Sequence, residues 1–266
     1  MGESHILPSK ESTALLKKAT LSRIQVLEAA PLWPKYEKAL KVASEDPNLY
    51  RLTLYVLSEL QSMDKLPLHH TEWIDFVAGS NLEDLRHRIY EGFHASILLK
   101  DKDIRLSFEA KQGFFFDTQA RKSMDLRIQD PNTGEVISYK EIKRVYKHSS
   151  AIGALRSVVS KTAEIRPKVG DDVELSGIIY IGSPRLEGLD AGTSTRDRMR
   201  DLAYSATLYL MHKIENDVEH GLDSVIFVDL ELEYSIKLYI HDGKVHQSEA
   251  EFPLGSLFHF LSDGIN

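Results

Sequence analysis

A chain of 266 residues, 42% of them hydrophobic, can bury a core as one large domain or two small ones, which excludes a disordered polar chain. A formal charge of −7 argues against a polycation that coats nucleic acid nonspecifically, and the absence of cysteine excludes disulfide scaffolds, thiol catalysis and cysteine-zinc centres, leaving a cytoplasmic location as the default expectation. No run approaches the ~18 apolar residues of a membrane span, and Met1-Gly2-Glu3-Ser4-His5 lacks the layout of a secretory signal, so no membrane partner is expected.

From about Ser9 to Asp64 the pattern is helical. Leu15, Leu16, Ile24 and Leu27, then Tyr36, Leu40 and Val42, form apolar faces punctuated by Pro31, Pro34 and Pro47. Leu66-Pro67-Leu68-His69-His70 reads as a connector, dividing a helical N-terminal segment (residues 1–68) from an α/β unit (residues 69–266). Ser80-Asn81-Leu82-Glu83 has the form of a capping box, with Glu83 engaged by the cap. It predicts a helix to about Ser96, with Leu85, Ile89, Phe93 and Ile97 as its stripe. A strand over Ile104 to Ala110 and an apolar run at Phe114 to Phe116 follow.

Met124-Asp125-Leu126-Arg127-Ile128 then reads as a short strand, Asp130-Pro131-Asn132-Thr133-Gly134 as a turn, and Val136 to Val145 as the return strand. Strand side chains alternate between faces, so Glu141 and Lys143 share one face while Ile142 points to the other. Asp125 can share that face, subject to whether the hairpin carries a bulge. Carboxylates on neighbouring strands repel unless a cation lies between them, and hard oxygen ligands suit Mg²⁺ or Mn²⁺. A helix from about Ser149 to Ile165, ended by Pro167, leads to a β-branched strand at Val173 to Ile181. A loop over Gly182 to Gly192 precedes a capping box at Ser194-Thr195-Arg196-Asp197, a helix to about Glu219, and two strands within Val225 to Ile240. The expected fold class is α/β with a mixed central sheet.

Asp125, followed after a gap by Glu141-Ile142-Lys143, resembles the pattern of the PD-(D/E)xK, or restriction-endonuclease-like, nuclease superfamily. The resemblance extends from about Asn81 to Gly182, where the order helix, three strands, helix, strand is similar to that family's αβββαβ core. It implies a metal-dependent nuclease with Asp125, Glu141 and Lys143 as catalytic residues. Mg²⁺ or Mn²⁺ would be held by Asp125, Glu141, the carbonyl of Ile142 and an acid of the first helix, Glu91. DNA is favoured over RNA, in roles such as defence or toxin action. Lys140, Lys143, Arg144, Lys147, Arg156, Lys161, Arg166 and Lys168 are opposed over that interval only by Glu141 and Glu164, a local basic patch. Arg144, Lys147, Arg156 and Lys161 are its expected phosphate contacts. The N-terminal helical segment is expected to recognise substrate or a protein partner.

Competing signals are weaker. Glu109-Ala110-Lys111 repeats the triplet without a separate preceding strand to carry a partner aspartate. His69-His70 and His87/His94 lack the spacing of a helical zinc site and are expected to be surface or capping residues. Asp229, Glu231 and Glu233 alternate as a solvent-facing acidic strand would. No Gly-x-Ser-x-Gly elbow or Gly-rich phosphate loop occurs. The alternative function is a non-catalytic interaction module, an immunity or assembly protein on a similar sheet, which the acidic net charge suits.

Overall fold

The computed structural model describes residues 10–101, 103–108, 124–182, 195–216 and 220–251. A seven-stranded sheet runs in chain order: β1 (Arg105–Phe108), β2 (Leu126–Gln129), β3 (Val136–Val145), β4 (Glu174–Ile181), β5 (Ser224–Asp229), β6 (Tyr234–His241) and β7 (Lys244–Glu251). Neighbours are antiparallel except β3 with β4 and β4 with β5. Those two parallel pairs are where a helix is available to make the crossover, which a tight hairpin cannot do. The helices are α1 (Lys10–Glu28), α2 (Trp33–Ala43), α3 (Pro47–Gln61), α4 (His70–Gly79), α5 (Leu82–Asp101), α6 (His148–Val169) and α7 (Arg196–Glu215). None is long and apolar enough to cross a membrane among the described residues. The protein is thus a mixed α/β fold with a helical N-terminal segment, and α5-β1-β2-β3-α6-β4 reproduces the expected element order.

The sheet separates two cores. Helices α1 to α5 pack with Ile142, Ile178, Tyr180 and Val228, while α6 and α7 pack with Ile179, Ile181, Val225 and Phe227. Alternation along β4 thus sends Ile178 and Tyr180 one way and Ile179 and Ile181 the other. Because Leu27, Tyr36 and Leu57 share a core with Phe93 and Ile142, α1 to α3 are packed onto the same sheet face as α5.

Several element boundaries differ from expectation for local reasons. The cap of α5 is Asn81, whose side-chain oxygen accepts from the N–H groups of Glu83 and Asp84, while Ser80 Oγ donates backward to Phe76 O. Asn is as good a cap as Ser, and the helix continues past Ser96 because Leu98 is still buried. Pro167 lies inside the last turn of α6 and does not end it. One lost backbone bond is tolerated there because the Arg166 side chain donates to Gly170 O and Val173 O, and the helix stops at Gly170, with φ of 80°. Thr195 caps α7 by accepting from Arg198 N; Ser194 lies outside the described residues, as do Glu109-Ala110-Lys111 and Phe114 to Phe116.

Gly92, on α5, marks the closest packing near the site. A Cβ there would lie 2.5 Å from Trp73 Cη2 and 2.8 Å from Val56 Cγ1. Alanine gains ~1 kcal/mol of helix propensity over glycine, but overpacking a rigid indole costs ~1–3 kcal/mol. Gly92→Ala is therefore expected to lower the denaturant midpoint, and a raised midpoint would show that Trp73 has room to retreat.

Candidate active site

The hairpin sets the site. Leu126 pairs with Lys140, Arg127 with Tyr139 and Ile128 with Ser138, after which the register shifts to Gln129 with Val136. This bulge, at the turn end, leaves the register at the other end intact. Asp125, one residue before β2, donates its N–H to Lys140 O (3.0 Å), and its Oδ2 accepts from Ile142 N (2.7 Å). The carboxylate thereby continues the ladder that the backbone has left, and stands across from Glu141.

Ile142 enters the α5-side core, so Glu141 and Lys143 face α6, as alternation requires. Glu141 pairs in register with Gly177 of β4, where a Cβ would lie 2.7 Å from Val158 Cγ1. That missing side chain lets α6 approach closely enough for Lys161 Nζ to donate to Glu141 Oε2 at 2.5 Å. Lys143 Nζ stands 2.5 Å from Glu141 Oε1. Glu141 itself is fully buried.

Glu91 arrives from α5, also buried. Its Oε1 accepts from Arg88 (2.7 Å) and its Oε2 from Trp73 Nε1 (3.2 Å), and the indole is in turn stacked on Phe108 at 4.5 Å between ring centres. Burial pushes the Glu91 carboxyl up to about 8 and Glu141 up to about 7, and in both cases the next cause is the negative charge of Asp125. Burial opposes the charge on Lys143, yet Glu141, Asp125 and Glu91 together hold its ammonium above the ordinary lysine value. Four residues from α5, the start of β2 and β3 therefore share one electrostatic field, the arrangement expected where charges are gathered for chemistry.

The chain matches no protein-family model, no curated protein and no solved structure.

Among the described residues, no group of three or more His, Asp or Glu side chains is spaced to hold a metal ion. Two ammonium groups, those of Lys143 and Lys161, flank the Glu141 carboxylate instead. Carboxylate oxygens are of the hard type a divalent cation takes, but each Glu141 oxygen has an ammonium 2.5 Å away, Lys143 at Oε1 and Lys161 at Oε2. Ile142, whose carbonyl completes the expected ligand set, is tied to Asp125 through its N–H.

The expected phosphate contacts are distributed differently. Arg144 is half-buried, its guanidinium 4.1 Å above the Tyr146 ring and 5.4 Å from that of Tyr90. Lys161 binds Glu141. Lys140 donates to Ser176 (2.9 Å) and lies near Glu174, and Arg166 pairs with Asp223. Lys147, at the start of α6, and Arg156, 5.7 Å from the Tyr209 ring of α7, remain exposed. The basic interval thus has three surface cations, Lys147, Arg156 and Lys168, while Lys140, Lys143, Arg144, Lys161 and Arg166 are half-buried.

Three further expectations are corrected. His70 is buried beside Trp73, its pKa pushed down to about 4 by burial, and His94 is buried with Nδ1 2.8 Å from Tyr180 Oη; neither is a surface residue, because each lies on the core side of its helix. Asp229, Glu231 and Glu233 do not line one strand. Asp229 ends β5, buried, accepting from the N–H groups of Glu231 and Leu232 and pairing with His148 Nε2 at 3.0 Å, so the run turns a corner there. Sequence reasoning did not find Trp73 or the Glu141 role of Lys161; Arg88, three residues before Glu91 on a helix, had a readable spacing.

Proposed function

We propose that this protein is a metal-dependent nuclease acting in the cytoplasm, which hydrolyses phosphodiester bonds and favours DNA over RNA, as in defence or toxin systems. The observation that carries the reading is the Asp125 carboxylate, which accepts from Ile142 N at 2.7 Å, next to a buried Glu141 with the Lys143 ammonium 2.5 Å from its Oε1. Asp125 and Glu141, with Glu91 behind them, are the residues that would hold Mg²⁺ or Mn²⁺. Bound there, such an ion lowers the pKa of a coordinated water and offsets phosphate charge. Lys143 orients the attacking water and stabilises charge developing on the phosphate, and Lys147 and Arg156 attract the backbone.

A second reading, a protein-interaction module, is favoured by one observation. Tyr204, Leu208 and Met211 form an exposed stripe at helical spacing on α7, at 66%, 50% and 40% exposure. The two readings part on incubating the purified chain with linear DNA, plasmid and transfer RNA, each with Mg²⁺, Mn²⁺ or EDTA. Metal-dependent cleavage, strongest on DNA, is expected. Inactivity on all three substrates with both metals would leave the interaction reading.

A further inference from the structure

The outermost hairpin of the sheet has two unlike faces. Tyr234, Ile236 and Leu238 of β6 enter the core of α6 and α7, so Lys237, Tyr239 and His241 point the other way. The register sets Lys244 opposite His241 and His246 opposite Tyr239, which puts both β7 residues on that same outer face. The acids of β7 go to the inner face, where Glu251 stands opposite Tyr234 and Glu249 accepts from Tyr234 Oη and Arg200. On the outer side, the core of α1 to α5 reaches Ile226 and Val228 of β5 and takes in no residue of β6 or β7 among the described residues. Tyr239, His241 and Lys244 are accordingly exposed, and Lys237 and His246 half-buried.

The rings on this face are already arranged. Tyr239 and His246 stack at 5.1 Å between ring centres and 16° between planes, and His241 lies 6.4 Å from His246. Two carboxylates border the face: Asp242, in the turn, lies 3.3 Å from His241 Nε2, and Glu174 accepts from Ser224 Oγ in the field of Lys140 and Lys237. A charged edge strand needs only to deter pairing with another chain, for which outward acids serve as well as bases. Here bases and rings are sorted to one face and Glu249 and Glu251 to the other.

We propose that the outer face of β6 and β7 is a platform for single-stranded nucleic acid, with bases stacking on Tyr239 and His246 and phosphates meeting Lys237 and Lys244. The proposal rests on the nucleic-acid reading given above and names the form of the polymer; no metal ion enters it. Every base has a π-face, so an aromatic pair accepts any sequence while neighbouring lysines follow the backbone. A duplex keeps those π-faces in its own stack and offers the rings nothing to stack on.

The test is fluorescence anisotropy of the full chain in EDTA, where cleavage plays no part, with a labelled oligothymidine strand and a hairpin duplex of matched length. The strand should bind more tightly than the duplex. Tyr239→Ala should weaken strand binding by about 5–100-fold, the usual effect of losing one stacking ring, with duplex binding unaffected and most of the affinity kept in Tyr239→Phe. Lys237→Gln combined with Lys244→Gln should lower the slope of log affinity on log salt by about 1.4, at ~0.7 per phosphate contact on a single strand. Unchanged strand affinity in Tyr239→Ala, a duplex held more tightly than the strand, or binding of neither overturns the proposal. If Tyr239→Ala does not fold, the wild type decides by photocrosslinking to an iodouracil-containing strand: crosslinks at Tyr239 or His246 support the platform, and crosslinks confined to other elements overturn it. Self-association that Tyr239→Ala abolishes, with no strand bound, overturns it too, by giving the face to a second copy of the chain. Strand binding at Tyr239 by a protein that cleaves no nucleic acid keeps the platform and removes the nuclease reading, whereas cleavage with strand affinity independent of Tyr239 sinks the platform alone.

Discussion

Lys143→Ala is expected to slow cleavage by about 10²–10³-fold, the usual effect of removing one group aimed at transition-state charge, while nucleic-acid affinity falls no more than a few-fold. The asymmetry follows from the geometry. One ammonium among several basic groups adds modestly to the attraction of a polyanion, but Lys143 alone stands at Glu141 Oε1. Its loss need not unfold the chain, since Glu141 keeps the Lys161 bond and its raised pKa lets it take up a proton in place of the missing charge. Single-turnover cleavage and fluorescence anisotropy separate the two quantities. Parallel losses in both would make Lys143 a binding residue only.

The second large effect is on stability. Burial and the Asp125 charge keep Glu91 and Glu141 protonated in the folded chain up to about 8 and 7, whereas both ionise near the ordinary 4.5 when unfolded. Between those limits the folded state binds more protons, so stability of the metal-free protein falls as pH rises from about 5 to 8. At ~1.4 kcal/mol per pH unit for each fully separated group, the decline is of order a few kcal/mol. Asp46 and Glu59 act with the opposite sign: burial alone would raise them, but hydrogen bonds from Arg86 to one and from Lys100 and Arg23 to the other hold them low. Their stabilisation is lost only as pH falls below the carboxylate range, which places the metal-free optimum near pH 5. Asp125→Asn should flatten the decline and make the metal-free variant the more stable protein at pH 8, because it removes the repelling charge and keeps an oxygen for the Ile142 N–H. Asp125→Ala is the poorer probe, since an unsatisfied buried N–H costs ~1–3 kcal/mol. Thermal melts at pH 5 and 8 read both effects; a wild-type stability that rises over this range would show that the carboxylates are not in one field.

The hairpin and the shared face of Glu141 and Lys143 were legible because a period of two is rigid: once Ile142 is apolar, its neighbours must face the other way. The basic interval was not. Arg156 and Lys161 are five residues apart, which on a helix turns them about 140° from each other, and only the seating of α6 over Gly177 decides that Lys161 is the one facing the sheet. The Trp73 bond to Glu91 joins residues whose proximity depends on how α4 packs against α5, a tertiary fact without a local signal. Strand β7 was missed because Lys244–Glu251, polar and charged, lacks an apolar alternation; that composition suits an edge strand, where charge discourages pairing with another chain. The Asp229 run shows the converse error, since alternating acids looked like a strand until Asp229 accepted two backbone N–H groups and turned the chain.

The most direct test of the central claim is metal add-back to the EDTA-stripped full chain on plasmid DNA, with Asp125→Asn run beside the wild type. The wild type should be inert in EDTA and cleave once Mg²⁺ or Mn²⁺ is restored, while Asp125→Asn, folded and at least as stable at pH 8, should remain inactive at the same metal concentration. Cleavage by the wild type in EDTA, or by Asp125→Asn at the wild-type rate, would contradict a metal site built on Asp125 and Glu141.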